Sequence, residues 1–177
     1  DISNSKDAKS LKVKFLKVAG LGSPAKSKVL NVYLDQHKYL WIATLKGLQI
    51  YNLKNKQLDS TGLAFSTTKV FDRNNAIDKI VYSPFRESIY ETVEDEVGNI
   101  WLAGDAGLYM FDNKKRDFLF YKLGGWVKTI SISHNRNGEK EVWAGSFSNG
   151  LMILNIVTNK LEVIEYDNFS NLGVLNG

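Results

Sequence analysis

Cysteine is missing from this 177-residue sequence, and proline occurs only twice. Without cysteine there is no disulfide framework and no thiolate metal site. That absence fits an exported, periplasmic protein that avoids mispairing. Histidine is nearly as scarce. His37 and His134 lie in separate segments, so neither a transition-metal site nor a histidine-activated nucleophile is expected. No cofactor is implied. No apolar run approaches the roughly 20 residues that a membrane helix requires. The chain opens on a polar stretch rather than a secretory leader, so for an exported protein the leader and anchor are expected outside this sequence.

Bulky apolar residues are plentiful. Hydrophobic residues make up 44% and aromatics 12%, with four Trp, eight Tyr and nine Phe. Such rings suit flat, half-buried strand surfaces. The 14 glycines fall mostly between apolar runs, where turns are needed. The net charge of +4 owes much to the start of the chain, where Lys6, Lys9, Lys12, Lys14, Lys17, Lys26 and Lys28 face only Asp1 and Asp7. Arginine is absent there and no aromatic ladder interleaves the lysines, so a solvated leader is expected and a nucleic-acid partner is not.

The informative signal is an internal repeat. Residues 29–58 align with 89–118 over 30 positions without a gap. Trp41 then matches Trp101, Gly47-Leu48 matches Gly107-Leu108, Asp35 matches Asp95, and Tyr51 matches Phe111. A third copy over 127–161 puts Trp143 in the tryptophan place and Gly150-Leu151 in the Gly-Leu place, with one extra residue between them. Its first turn reads as longer, and Asn-Arg-Asn-Gly replaces the Asp-containing turn. Trp101 follows Trp41 by 60 residues, and Trp143 follows Trp101 by only 42, because about 18 additional residues lie between Asp59 and Arg86.

Each copy parses into four short strands separated by turn residues, in the second copy about 89–94, 99–103, 108–112 and 117–122. Leu108 and Met110 alternate with Tyr109 and Phe111, which predicts a strand covered on both faces. A repeated four-stranded antiparallel unit of about 40 residues describes a propeller blade, and such units must stack to bury their faces. The fold expected is all-β: a partial β-propeller of about three four-stranded antiparallel blades plus an N-terminal closing strand. The blades are expected at 29–61, 87–122 and 126–166, the extra strand at 11–18, an insertion at 62–86, and a lead-in to a further blade at 167–177. Three blades fall short of the four to eight of a closed ring, so a fragment is expected.

The run Val93…Asp95-x-x-Gly98-Asn99-Ile100-Trp101-Leu102-Ala103-Gly104-x-x-Gly107-Leu108-x-x-Phe111-Asp112 resembles the two-component regulator propeller repeat. The first copy, from Asp35 through Trp41-Ile42-Ala43-Thr44 to Asn52, is similar, and the third is a weaker match. The resemblance covers most of 11–177 apart from the insertion. It implies the periplasmic sensor region of a bacterial hybrid histidine kinase, the outer part of an inner-membrane receptor whose kinase is not in this chain. It also implies an oligosaccharide ligand, a homo-oligomeric receptor, and the remaining propeller blades and receptor domains as partners. The alternatives are a propeller-type lyase or glycosidase fragment, or a purely structural protein-interaction propeller.

No catalytic constellation assembles in the sequence. Glu91, Glu94, Asp95 and Glu96 are the densest carboxylates, but Glu91 and Glu94 should face opposite ways on a strand. Asp35 and Asp95 sit where Asp caps a tight turn through its own side chain. Gly104-Asp105-Ala106-Gly107 is a hairpin turn, not a phosphate loop. Turns joining second to third strands share one propeller face with the connections between blades, which places any ligand there. Arg73, Asn75, Tyr82 and Arg86 of the insertion are candidates, together with Asp105, Trp126 and Phe147, because aromatic faces flanked by polar groups suit a sugar. The insertion serves equally well as a packed hairpin.

Overall fold

The structure is a computed structural model, and it describes residues 28–58 and 84–164 with the backbone of 70–71. The closing strand expected at 11–18, the basic leader, most of the insertion and the lead-in at 167–177 lie outside the described residues. Three sheets form, with no helix among the described residues. The first contains β1 (Val29–Leu34), β2 (Tyr39–Thr44), β3 (Gly47–Asn52) and β4 (Gln57–Leu58), each antiparallel to the next. A two-residue strand, β5 (Val70–Phe71), comes from the insertion. The second sheet orders β6 (Ile89–Glu94), β7 (Ile100–Gly104), β8 (Gly107–Asp112) and β9 (Asp117–Lys122), with β5 added parallel to β9. The third runs through β10 (Val127–His134), β11 (Lys140–Ser146), β12 (Gly150–Asn155) and β13 (Lys160–Ile164). The middle blade thus has a fifth strand that the repeat pattern does not contain.

Turn chemistry explains why the strands end where they do. Between third and fourth strands, the side chains of Asn52, Asp112 and Asn155 each accept two backbone N–H bonds. Four residues on, Lys56, Arg116 and Asn159 take φ of 59°, 59° and 55°. One local solution is used three times. Between second and third strands, Gly107 has φ 151°, and a Cβ there would sit 2.2 Å from the Tyr121 carbonyl oxygen. Only glycine fits so close an approach.

The third blade corrects one expectation. Its first turn is no longer than the others: Asn135 accepts the Glu139 N–H as Asp95 accepts that of Asn99. The strands are what lengthen, by the pairs Ser133–Glu141 and His134–Lys140. Trp143 still holds the tryptophan place, opposite Ser131 as Trp101 is opposite Val93. An even shift keeps a side chain on the same face.

The innermost strand β6 lies against both β1 and β10, and among the described residues the sheets stack face to face as an open set rather than a closed ring. Trp41, Ala43, Leu48 and Ile50 pack against Ile89, Leu102, Tyr109, Phe111 and Phe120. Trp101, Leu108 and Met110 pack against Val127, Val142, Ala144 and Met152. β8 is therefore covered on both sides, as its alternation requires. Each buried Leu, Ile or Phe contributes roughly 1.5–3 kcal/mol, so contact between sheets is the main source of cohesion. Trp143 points the same way as Trp41 and Trp101 along the stack but stays 37% exposed.

Candidate ligand-binding rim between the second and third blades

Each innermost strand slips register once, at the same place: between Val29 and Asn31, Ile89 and Glu91, and Val127 and Thr129. The extra residues are Leu30, Tyr90 and Lys128. A bulge takes its residue out of the ladder and re-aims the side chain. Each slip lies beside the turn that joins second and third strands, because Val29, Ile89 and Val127 pair with Thr44, Gly104 and Ser146. Bulge residues and turns therefore share one rim.

On that rim the second and third blades build a continuous cluster. The Tyr90 hydroxyl donates to Asp105 Oδ1, and the Ser88 N–H donates to Asp105 Oδ2 at 3.3 Å. The Lys128 ammonium sits 3.2 Å from the Tyr90 ring centroid and 5.1 Å from that of Trp126, a favourable cation–π arrangement. The Trp126 and Phe147 rings lie 6.0 Å apart, tilted by 35°. The Phe147 N–H donates to the Trp126 carbonyl at 2.9 Å, which ties the turn to the blade entrance. The Asn149 side-chain amide closes the same corner by donating to the carbonyls of Leu123 and Gly124. Trp126 is 53% and Phe147 77% exposed, more than any other described aromatic.

Glu87 lies just behind this cluster. One carboxylate oxygen accepts the Ala106 N–H at 3.1 Å, while the other is buried with no hydrogen-bond partner among the described residues. Burial pushes its pKa up to about 7; the Ala106 N–H works against this and the Asp105 carboxylate adds to it. The group is therefore partly protonated near neutrality.

Of the seven residues expected from sequence, the structure brings Asp105, Trp126 and Phe147 into one cluster, bridged by Tyr90 and Lys128. Arg86 is exposed at the entrance to the second blade, next to Glu87. Arg73, Asn75 and Tyr82 lie outside the described residues. Sequence reasoning missed Tyr90 and Lys128. Their shared place, one residue after the apolar position that opens each repeat, is the signal that could have found them.

The fold has relatives among solved structures. An extracellular domain ascribed to a hybrid two-component system of B. thetaiotaomicron superposes with a TM-score of 0.55 at 19% identity, over 82% of this chain and 19% of its own. A second extracellular domain, ascribed to another such system of that organism, gives a TM-score of 0.50 at 18% identity, over 80% of this chain and 19% of its own. The chain is a propeller segment. It spans about a fifth of the length of these relatives. No family model matches it, and no curated protein matches it.

The opposite rim of the propeller segment is occupied by structural contacts. Asp35 accepts the Tyr39 N–H at 2.8 Å and the Trp41 indole N–H at 2.9 Å. Asp95 repeats this with Asn99 and Trp101 and also accepts Lys140 of the third blade at 3.0 Å. Burial alone would raise the Asp95 pKa, but the bonds from Lys140, Asn99 and Trp101 outweigh it and hold the carboxyl below its usual range. Lys140 also pairs with Glu96 at 2.7 Å, and His134 stands 3.6 Å from that same carboxylate. Glu91 accepts the Ile130 N–H towards the third blade, whereas Glu94 accepts the Tyr33 hydroxyl towards the first. The acidic group is thus split between two interfaces, and among the described residues no group of three or more His, Asp or Glu is placed to hold a metal ion.

Proposed function

We propose that this chain is a non-catalytic sensing segment of the extracytoplasmic, periplasmic part of a two-component receptor, and that its rim between the second and third blades takes an oligosaccharide. The fold likeness to extracellular domains ascribed to hybrid two-component systems supports the sensing role. The observation that carries the site is the exposure of Trp126 and Phe147 side by side, when most of the other described rings are buried. A pyranose presents an apolar C–H face to such rings, and flanking polar groups fix its orientation. A ligand bound across two blades ties them together, and its preference for one packing of the receptor biases a homo-oligomer between two states.

Calorimetric titration of the chain with a panel of oligosaccharides tests this. Saturable heat with one glycan, weakened roughly thirtyfold by Trp126→Ala, is the expected result, since a central aromatic anchor is worth roughly 2 kcal/mol. Binding that ignores Trp126→Ala would remove the rim from the proposal. Turnover of any glycan would favour a lyase or glycosidase instead.

A further inference from the structure

Lys128 is the chemically distinctive member of the rim. We propose that it makes the site selective for sugars bearing an anionic substituent, a carboxylate or a sulfate ester, over neutral sugars. This deepens the reading of the rim as a sugar site and rests on it.

The bulge is the first support. It ejects one residue per blade at the same place, and those residues are Leu30, Tyr90 and Lys128, while the preceding position stays apolar as Val29, Ile89 and Val127. The scaffold therefore holds constant while the ejected side chain varies in chemistry, as a reading position requires. The ammonium is also placed without being neutralised. Two ring faces hold it, at 3.2 Å and 5.1 Å from their centroids, yet aromatic faces offer none of the lone pairs that the three N–H donors of a lysine can use. Among the described residues Lys128 has no ion-pair partner.

The nearby carboxylates do not fill that role. Asp105 is committed through both oxygens, to the Tyr90 hydroxyl and the Ser88 N–H. Glu87 accepts the Ala106 N–H, and its raised pKa lessens the negative charge behind the site near neutrality. A fixed cation beside the two most exposed described rings matches a ligand that combines a sugar ring with an anion. The charge-assisted hydrogen bond formed there is about twice as strong as a neutral one.

Three matched probes test the inference by calorimetry on the whole chain: cellobiose, its counterpart with a terminal uronic acid, and its 6-sulfate. At least one anionic probe should bind tenfold or more tighter than cellobiose at low salt, and the better of the two identifies the anion. The advantage should shrink as ionic strength rises. Lys128→Met should abolish the preference, Lys128→Arg should retain it, and Trp126→Ala should weaken all three probes. Equal binding of the three probes, or a preference that survives Lys128→Met, overturns the selectivity and leaves the sugar rim standing. Binding of none of them overturns both.

Discussion

Replacing Asp95 by alanine should reveal how the second and third blades are locked together. Asp95 is 6% exposed and its carboxylate serves the Val97 and Asn99 N–H groups, the Asn99 amide, the Trp101 indole and the Lys140 ammonium. Removing it strands a buried indole N–H and leaves Lys140, whose side chain is 15% exposed, with Glu96 alone. Breaking a buried ion pair from one side costs roughly 3–5 kcal/mol. Asp35 is the internal control, because it caps the same turn and binds the same indole position with no lysine paired to it among the described residues. Its replacement should cost only about 1–2 kcal/mol, the worth of a cap and a buried hydrogen bond. Urea unfolding followed by tryptophan fluorescence measures both. A double-mutant cycle of Asp95→Ala with Lys140→Met should then return a coupling of roughly 1–3 kcal/mol. Equal losses at Asp35 and Asp95, or a coupling near zero, would refute the interblade lock. The pH dependence carries a sign as well. The folded pKa of Asp95 lies below the ordinary aspartate value, so the unfolded chain takes up the proton first as pH falls. The contribution is fully present above that value and fades as pH drops through the folded pKa. Asp95→Asn should flatten this acid limb.

The other two predictions concern burial and charge. Trp101→Ala should cost roughly 3–5 kcal/mol in the same denaturation assay, whereas Trp143→Ala, at 37% exposure, should cost roughly 1 kcal/mol; similar losses would show that the third tryptophan is buried after all. Glu87 titrates with the opposite sign to Asp95. Its pKa rises from 4.5 to about 7 on folding, so the folded state binds the extra proton and stability declines as pH climbs between those values. Glu87→Gln should abolish that decline and be relatively more stable than the parent above pH ~7, as thermal unfolding across pH would show; an unchanged profile would mean the carboxylate is well solvated.

Much of the architecture was legible without coordinates, because the rules behind it are local. Alternation over two residues marks β8, and short polar side chains with glycine mark its ends. The strands expected in the second copy agree with those observed to within one residue at each end. The turn role of Asp35 and Asp95 was readable for the same reason, since the side chain bonds its own backbone four residues on. The additional bond to the tryptophan six residues along was not, because it depends on how the hairpin twists. Half of the rim was also foreseeable. Asp105, Trp126 and Phe147 lie in or beside glycine-marked turns, whose place in a blade follows from repeat order.

Sequence alone therefore determined the repeating unit, its turns and the rim on which they gather, because each follows from side-chain period and backbone chemistry within a few residues. Tertiary structure decided which side chains meet. Whether Tyr90 and Lys128 leave the ladder depends on a mismatch in register between two strands, and whether they touch depends on the angle between two sheets. The exposure of Trp143, the pairing of Lys140 with Asp95 and the parallel approach of β5 to β9 have the same origin. Each is a relation between segments distant along the chain, and no local pattern encodes the distance or direction at which they come together.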